Sequence, residues 1–339
     1  VNRRILTLMV ALVPVVVFGV LLAVVTVPFV ALGPGPTYDT LGHVDGKQVV
    51  QVIGAETHPT TGHLNMTTVA QRDGLTLGEA LALWVSGRQQ LMPRDLYYPP
   101  GKSREEIDDE NSADFKRSEA SAEYAALAHL DYPAAVTVAA VNDPGPSAGQ
   151  LQAGDAIDAV NGVMVADVAA FSAFMDKTRP GQEIVVDYRR KQAPPGIARI
   201  TLGEHPERDS GALGVLVQDA PWAPFVVDFH LANIGGPSAG LMFSLAVIDK
   251  LTDGRLAGQK FIAGTGTIDA DGEIGPIGGI THKMLAAREA GAKVFLVPVD
   301  NCYEARSEPH GLTLVKVETL DQTVEALHVL RDGGEPPLC

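Results

Sequence analysis

Residues 236–251 read GPSAGLMFSLAVIDKL and residues 261–298 read FIAGTGTIDADGEIGPIGGITHKMLAAREAGAKVFLVP. The first stretch sets Ser238 in a G-x-S-x-G pentapeptide ahead of an apolar run too continuous for a surface helix. A serine at the N-terminus of a buried helix lies beside backbone N–H groups that lack helical acceptors and at the positive end of the helix dipole. An oxyanion hole requires such groups, so the backbone of Gly236, Pro237 and Ala239 is the candidate surround of a nucleophile. The same pentapeptide occurs at Gly145–Gly149. There Ser147 precedes Gln150, Gln152 and a Gly154-Asp155 turn, a setting that asks only for a small turn residue. Ser238 is the nucleophile candidate, and it needs a base to take its proton.

Working outward, the chain has 339 residues, enough for about two ordinary domains and a further segment. A formal charge of −15 argues against nucleic acid as a partner, because phosphate-binding surfaces concentrate Lys and Arg. The N-terminus reads Val1-Asn2-Arg3-Arg4, then an uncharged apolar stretch from Ile5 to about Leu32, broken only by Pro14 and Pro28. That length predicts a retained transmembrane helix over 1–32, with the N-terminus cytoplasmic and the rest extracytoplasmic by the Arg3-Arg4 rule. Cys302 and Cys339 are too few for a cysteine zinc site, and no metal or other cofactor is expected. Sequence leaves open whether the two thiols pair; in an oxidising compartment they are disulfide candidates.

Gly33-Pro34-Gly35-Pro36 ends the apolar stretch. Residues Gln48–Ile53 and Leu64–Val69 read as strands, Leu77 to about Leu91 as a helix, and Pro99–Ser121 as a charged, solvated loop and helix. Beyond Tyr132-Pro133, a strand at Ala135–Val141 leads into a small-residue turn, the Gly154-Asp155 turn into a strand, and an Asn161-Gly162 hairpin. A helix from Val168 to about Lys177 and a strand at Ile184–Arg189 follow. This order resembles a PDZ domain over 126–203, which implies peptide binding, with a plain spacer as the alternative. The carboxylate-binding loop of that family is not legible, and Leu130 and Tyr132 are the nearest candidates.

The pairing of Gly236-Pro237-Ser238-Ala239-Gly240 with Pro276-Ile277-Gly278-Gly279-Ile280-Thr281-His282-Lys283 resembles the proteolytic domain of Lon-type Ser-Lys proteases. The anchor, PDZ and Lon order is similar to the extracytoplasmic PDZ-Lon proteins of Gram-positive bacteria. The resemblance implies that Ser238 attacks a peptide carbonyl and that Lys283, held neutral, takes its proton. Met284, Leu285, Ala286 and Ala287 make an apolar setting that permits the lowered lysine pKa. By the same resemblance Thr265 supplies the hydroxyl that fixes the lysine, the alternative being an ordinary strand threonine. Two positions depart from the family: Gly235, preceded by Asn233 and Ile234, stands where an Asp is usual, and Thr267 where an acidic residue is common.

The implied fold is α/β, a Lon-type proteolytic domain of the ribosomal protein S5 domain 2-like kind. Its parts are a membrane helix (1–32), an N-terminal portion (33–125), an inserted PDZ domain (126–203), the proteolytic segment (204–332) and a tail (333–339). The implied function is ATP-independent, membrane-anchored cleavage of unfolded or exported proteins, with peptides as partners and a homo-oligomer possible. Two rivals stand beside it: an anchored PDZ scaffold with an inert protease domain, and an α/β-hydrolase using Ser238 with His310 or His328. Other signals read blandly. Asp269-Ala270-Asp271-Gly272-Glu273 lacks calcium ligands, Gly264-Thr265-Gly266 lacks the third glycine of a dinucleotide loop, and Pro100-Gly101-Lys102-Ser103 lacks the first glycine of a phosphate loop. His282 adjoins Lys283, but consecutive helix positions diverge by about 100°, so it reads as a surface residue.

Overall fold

The computed structural model describes residues 3–231 and 234–339, with the side chains of residues 4–6 and 8 outside that set. Val1, Asn2 and Asn233, and the side chains of Arg4 and Ile5, therefore lie outside the described residues.

Helix α1 (Arg3–Val24) contains Pro14 and ends well short of Leu32. The chain then enters strand β1 (Phe29–Asp39), in which Val30, Ala31 and Leu32 are buried. The apolar stretch from Ile5 to Leu32 is thus two elements, and its last residues are apolar because they form the core of a sheet. Among the described residues no helix is long and apolar enough to cross a membrane. This overturns the expected membrane helix over 1–32, and with it the membrane as a partner, the anchored form of the function and the cytoplasmic-to-extracytoplasmic topology.

After β1 come β2 (Val50–Ile53), β3 (His63–Arg72), α2 (Leu77–Ser86), β4 (Gln90–Pro93) and α3 (Arg104–His129). Helix α2 stops earlier than the apolar pattern suggests because Gly87 takes a left-handed φ of 65° as its C-cap. Helix α3 takes up most of the stretch expected to be a solvated surface loop and helix, and it is longer and partly buried. A capping box between Ser103 and Glu106 starts it, and Phe115, Ser118, Ala122, Ala125, Ala126 and Leu127 form its buried stripe.

The second module holds β5 (Ala134–Val141), β6 (Ala156–Val160), α4 (Val168–Met175), β7 (Glu183–Arg189), β8 (Gly196–Thr201) and β9 (Val215–Pro221). Its sheet runs β8-β7-β6-β5-β9 and encloses its own core of Val136, Ile157, Phe171, Ile184 and Ile200. Strand β9 pairs antiparallel with β5 from Val215 to Pro221, so the sheet continues beyond residue 203.

The chain closes with β10 (Val226–Phe229), α5 (Gly240–Leu251), β11 (Phe261–Gly264), α6 (Ile280–Ala290), β12 (Val294–Pro298), α7 (Cys302–Ser307), β13 (Thr313–Val317) and α8 (Leu320–Arg331). The main sheet has the order β13-β12-β11-β3-β1-β4, parallel from β13 to β3 and antiparallel beyond. Strands from both sides of the second module therefore share one sheet. Because side chains alternate along a strand, Ile262, Leu296 and Val315 face α5, α3 and α8, while Ala263, Phe295 and Leu314 face α6 and α7. The architecture is mixed α/β, with helices on both faces of the main sheet.

Cys302 and Cys339 are joined by a disulfide. The tail lies along β13, with the Lys316 N–H donating to Pro337 O and the Cys339 N–H to Leu314 O. Closing a loop over a separation of 37 residues restricts the unfolded chain by roughly 3–4 kcal/mol in the chain-entropy estimate. Reduction is expected to lower the thermal midpoint by several degrees, read by scanning calorimetry with and without reductant; an unchanged midpoint would show that the crosslink adds nothing.

Candidate active site

Ser238 sits in the turn that opens α5, and residues 240–250 of that helix are buried. Lys283 lies one turn into α6, on the opposite face of the main sheet. Both reach round the carboxyl end of β11, where Thr265 follows the last strand residue, the end at which open parallel sheets place their sites. The Lys283 Nζ lies 2.7 Å from Ser238 Oγ and 2.9 Å from Thr265 Oγ1. Thr265 Oγ1 in turn donates to the Ser238 carbonyl at 3.1 Å. With its hydrogen spent there, the threonine oxygen can only accept from the lysine, which fixes the amine's orientation.

Lys283 is 3% exposed and Thr265 fully buried. Burial alone lowers the Lys283 pKa, to about 7, because the charged ammonium loses its hydration. An amine poised there is neutral over much of the physiological range and can accept a hydroxyl proton.

The expected backbone donors divide. Pro237 has no N–H and donates nothing. The Gly236 N–H is taken by the Asn111 carbonyl of α3 at 3.0 Å. Ala239 and Ser238 itself remain, and neither N–H has an acceptor among the described residues. Ser118, also on α3, donates its hydroxyl to Pro237 O. The departure at Gly235 has a steric reason, since a Cβ there would stand 2.8 Å from Asn111 Cβ. Helix α3 thus props the turn that carries Ser238, a role the sequence reading missed; the Phe115–Ser118–Ala122 stripe signalled burial but not its destination.

Ser238 and Lys283 open into a cleft of about 580 Å³ walled by Tyr38, Met66, Val69, Tyr97, Phe115 and Ile277. Thr267 also lines it. His282 is buried, not a surface residue; it lines a separate cavity behind α6 together with His310. Burial lowers its pKa as well. His328 lies on α8, and no histidine bonds Ser238 among the described residues, which removes the α/β-hydrolase reading. In the second module the Ser147 hydroxyl is buried and donates to Leu213 O at 2.6 Å, so it holds a turn. Leu130 and Tyr132 pack against the core around α5, with Tyr132 edge-on to Phe225. The sheet of the second module has two edges, β8 and β9; β9 is the one beside α4, whose Val168 N–H donates to Asp219.

Comparison with known proteins matches two segments of the chain to known domains. Residues 232–329 match the Lon protease (S16) C-terminal proteolytic domain. The chain carries a Lon-type serine protease domain. Residues 109–196 match the PDZ domain, starting inside α3 and ending before β9. The Lon protease of Roseiflexus castenholzii is 39% identical over 93 residues, 26% of this chain and 11% of its own length. The archaeal Lon protease of Archaeoglobus fulgidus is 33% identical over 116 residues, 32% of this chain and 18% of its own length. Among solved structures, the PDZ domain of the SdrC-like protein of Listeria monocytogenes is 23% identical, covers 24% of this chain and 86% of that one, and has a TM-score of 0.23. The chain therefore spans only about a tenth to a fifth of the curated Lon proteases named here.

An amine accepts a proton only in its neutral form, so cleavage that uses Lys283 as its base should show a kcat/KM that falls about tenfold per pH unit below the lysine's value near 7 and levels off above it. A pH–rate profile with a peptide substrate measures this; a profile flat down to pH 5 would exclude Lys283 as the titrating base.

Proposed function

We propose that this cleft hydrolyses peptide bonds in polypeptide substrates, with Ser238 as nucleophile and Lys283 as general base. The observation that carries the reading is the 2.7 Å contact between Lys283 Nζ and Ser238 Oγ in a setting where burial brings the amine to about 7. As Oγ bonds to the substrate carbonyl carbon, its proton passes to Nζ. The carbonyl oxygen, now negative, is received by the Ser238 and Ala239 N–H groups at the α5 N-terminus. The C–N bond then breaks while Lys283 returns the proton to the leaving amine. Water attacks the acyl-serine and gives a proton to Lys283, which returns it to Oγ as the acyl C–O bond breaks, releasing the carboxylic acid and restoring Ser238.

The substrate would lie extended. Strand β3 pairs with β11 only through residues His63–Met66, and Thr67, Thr68, Val69 and Gln71 beyond them line the cleft. A peptide laid along that edge adds a strand to the sheet. Ser238→Ala and Lys283→Ala should each lower cleavage of an unfolded protein by at least about a thousandfold, since groups acting as one unit give similar losses. Ser147→Ala and His282→Ala should retain most of it. Full activity in a folded Lys283→Ala variant would refute the dyad, and no cleavage by the wild type would favour an inert scaffold.

The PDZ domain has a matching opportunity at β9, where Leu216 is 64% exposed and the outer edge is unpaired among the described residues. Extended peptides should bind there by strand addition. Calorimetric titration of the Ser238→Ala protein with a library of C-terminal peptides is expected to give heat, with amide shifts confined to residues 213–218; silence across the library would leave the domain a spacer.

A further inference from the structure

One segment of the cleft wall is held by a side chain that no motif marks. Asn301 ends the turn between β12 and α7 and is 6% exposed. Its Oδ1 accepts from the Ile277 N–H at 2.9 Å and its Nδ2 donates to the Ile277 carbonyl at 3.0 Å. Both polar ends of one amide are thereby spent on both backbone groups of one residue. Only a side chain carrying a donor and an acceptor on the same carbon can do this; aspartate lacks the donor and alanine lacks both.

What Asn301 grips is the segment that delivers the lysine. Pro276, Ile277, Gly278 and Gly279 line the cleft beside Ser238 and Lys283. Gly278 has open space where a Cβ would stand, and Gly279, at a left-handed φ of 68°, is the N-cap of α6. Two glycines have no side chains to wedge the segment in place, and their backbone is the most permissive available. Directly beyond them the Lys283 N–H donates to Gly279 O at 3.1 Å, the bond that ties the lysine to the start of its helix. Asn301 itself stands on firm ground, between the buried strand β12 and the disulfide-linked Cys302.

We propose that Asn301 is a positioning residue for the reaction: its amide fixes the Pro276–Gly279 wall and, through it, the start of α6 that carries Lys283 to Ser238. This rests on the assignment of Ser238 and Lys283 as the dyad. The groups facing the lysine amine are the Ser238 and Thr265 hydroxyls, and burial is the cause of its lowered pKa, with no charged side chain contributing. Any loosening of the wall that lets water reach Nζ therefore raises that pKa and impairs the base most at neutral pH.

The test compares wild type with Asn301→Ala and Asn301→Asp in the full chain, with the concentration of folded protein set by circular dichroism and the calorimetric unfolding enthalpy. Per folded site, kcat at pH 7 is expected to fall on the order of tenfold to a hundredfold, the range that an ångström of misplacement produces. KM should move less than about threefold, and part of the loss should return at pH 9. In 13C-lysine NMR the Lys283 resonance, identified by its absence in Lys283→Arg, should titrate at higher pH in the variants than in wild type. Wild-type kcat per folded site together with an unshifted Lys283 titration would overturn the proposal, leaving Asn301 a stabilising residue only. The NMR arm does not depend on turnover: a wild type that fails to cleave while Lys283 titrates near neutrality would refute the proposed function and still decide the role of Asn301. Should Asn301→Ala not fold, Asn301→Asp, which keeps the bond from the Ile277 N–H, carries the same two readouts.

Discussion

An amine can serve as a base near neutrality only where water is kept from it, and the arrangement around Lys283 answers to that constraint. Burial lowers its pKa to about 7 without help from any neighbouring charge, so the apolar packing of α6 against the sheet is part of the chemistry. Ile280, Met284 and Ala287 bury one face of that helix against Ala263, Phe295 and Leu314. Buried donors must also be satisfied, and the Ser238 and Thr265 oxygens do this for the amine. The apolar packing thus lowers the pKa by excluding water, and the two oxygens fix the direction in which the amine points.

Ser238 is held with equal care, from the other face. Its turn lies between the buried helix α5 and α3, whose Asn111 carbonyl and Ser118 hydroxyl grip Gly236 and Pro237. This grip removes one backbone donor from service and leaves the pair formed by Ser238 and Ala239 at the α5 N-terminus. Strands β1, β3 and β4 complete the sheet on which both residues depend, so the N-terminal segment belongs to the catalytic architecture.

Much of this was legible in the residues. Ser238 before a continuous apolar run, and Lys283 before Met284-Leu285-Ala286-Ala287, pointed to buried helices because burial on all sides leaves no polar face to alternate. What escaped reading did so for physical reasons. The first half of α3 is charged and has no apolar period, and only the Ser103–Glu106 capping box announced it; its hold on Gly236 runs through the backbone of Asn111, which no residue type betrays. The run from Ile5 to Leu32 counted as one span because Val, Ala and Leu suit a helix and a core strand equally, whereas the chain enters β1 at Phe29. Pro237 should have been struck from the oxyanion donors on its chemistry alone. Leu130 and Tyr132 stood out as apolar residues before a Pro, yet that position is a junction packed on the α5 core, and the edge strand β9 lay beyond the stretch in which a PDZ pattern was sought.

The joining of β3 to β11 gives the molecule an order of assembly. The Thr67 hydroxyl reaches Gly264 O across 197 residues of sequence, whereas the PDZ core is made of contacts within residues 136–217. Loop-closure entropy grows only logarithmically with length, each doubling adding about 0.6 kcal/mol, so carrying an entire module inside the loop is inexpensive in stability. Its cost falls on rate, because distant pairings must wait for closure before they are rewarded. The module with local contacts can condense by itself, while the Ser-Lys pair rests on a sheet that exists only after both distant segments have met. That order leaves the contact between Lys283 and Ser238 unformed until the fold around it is complete.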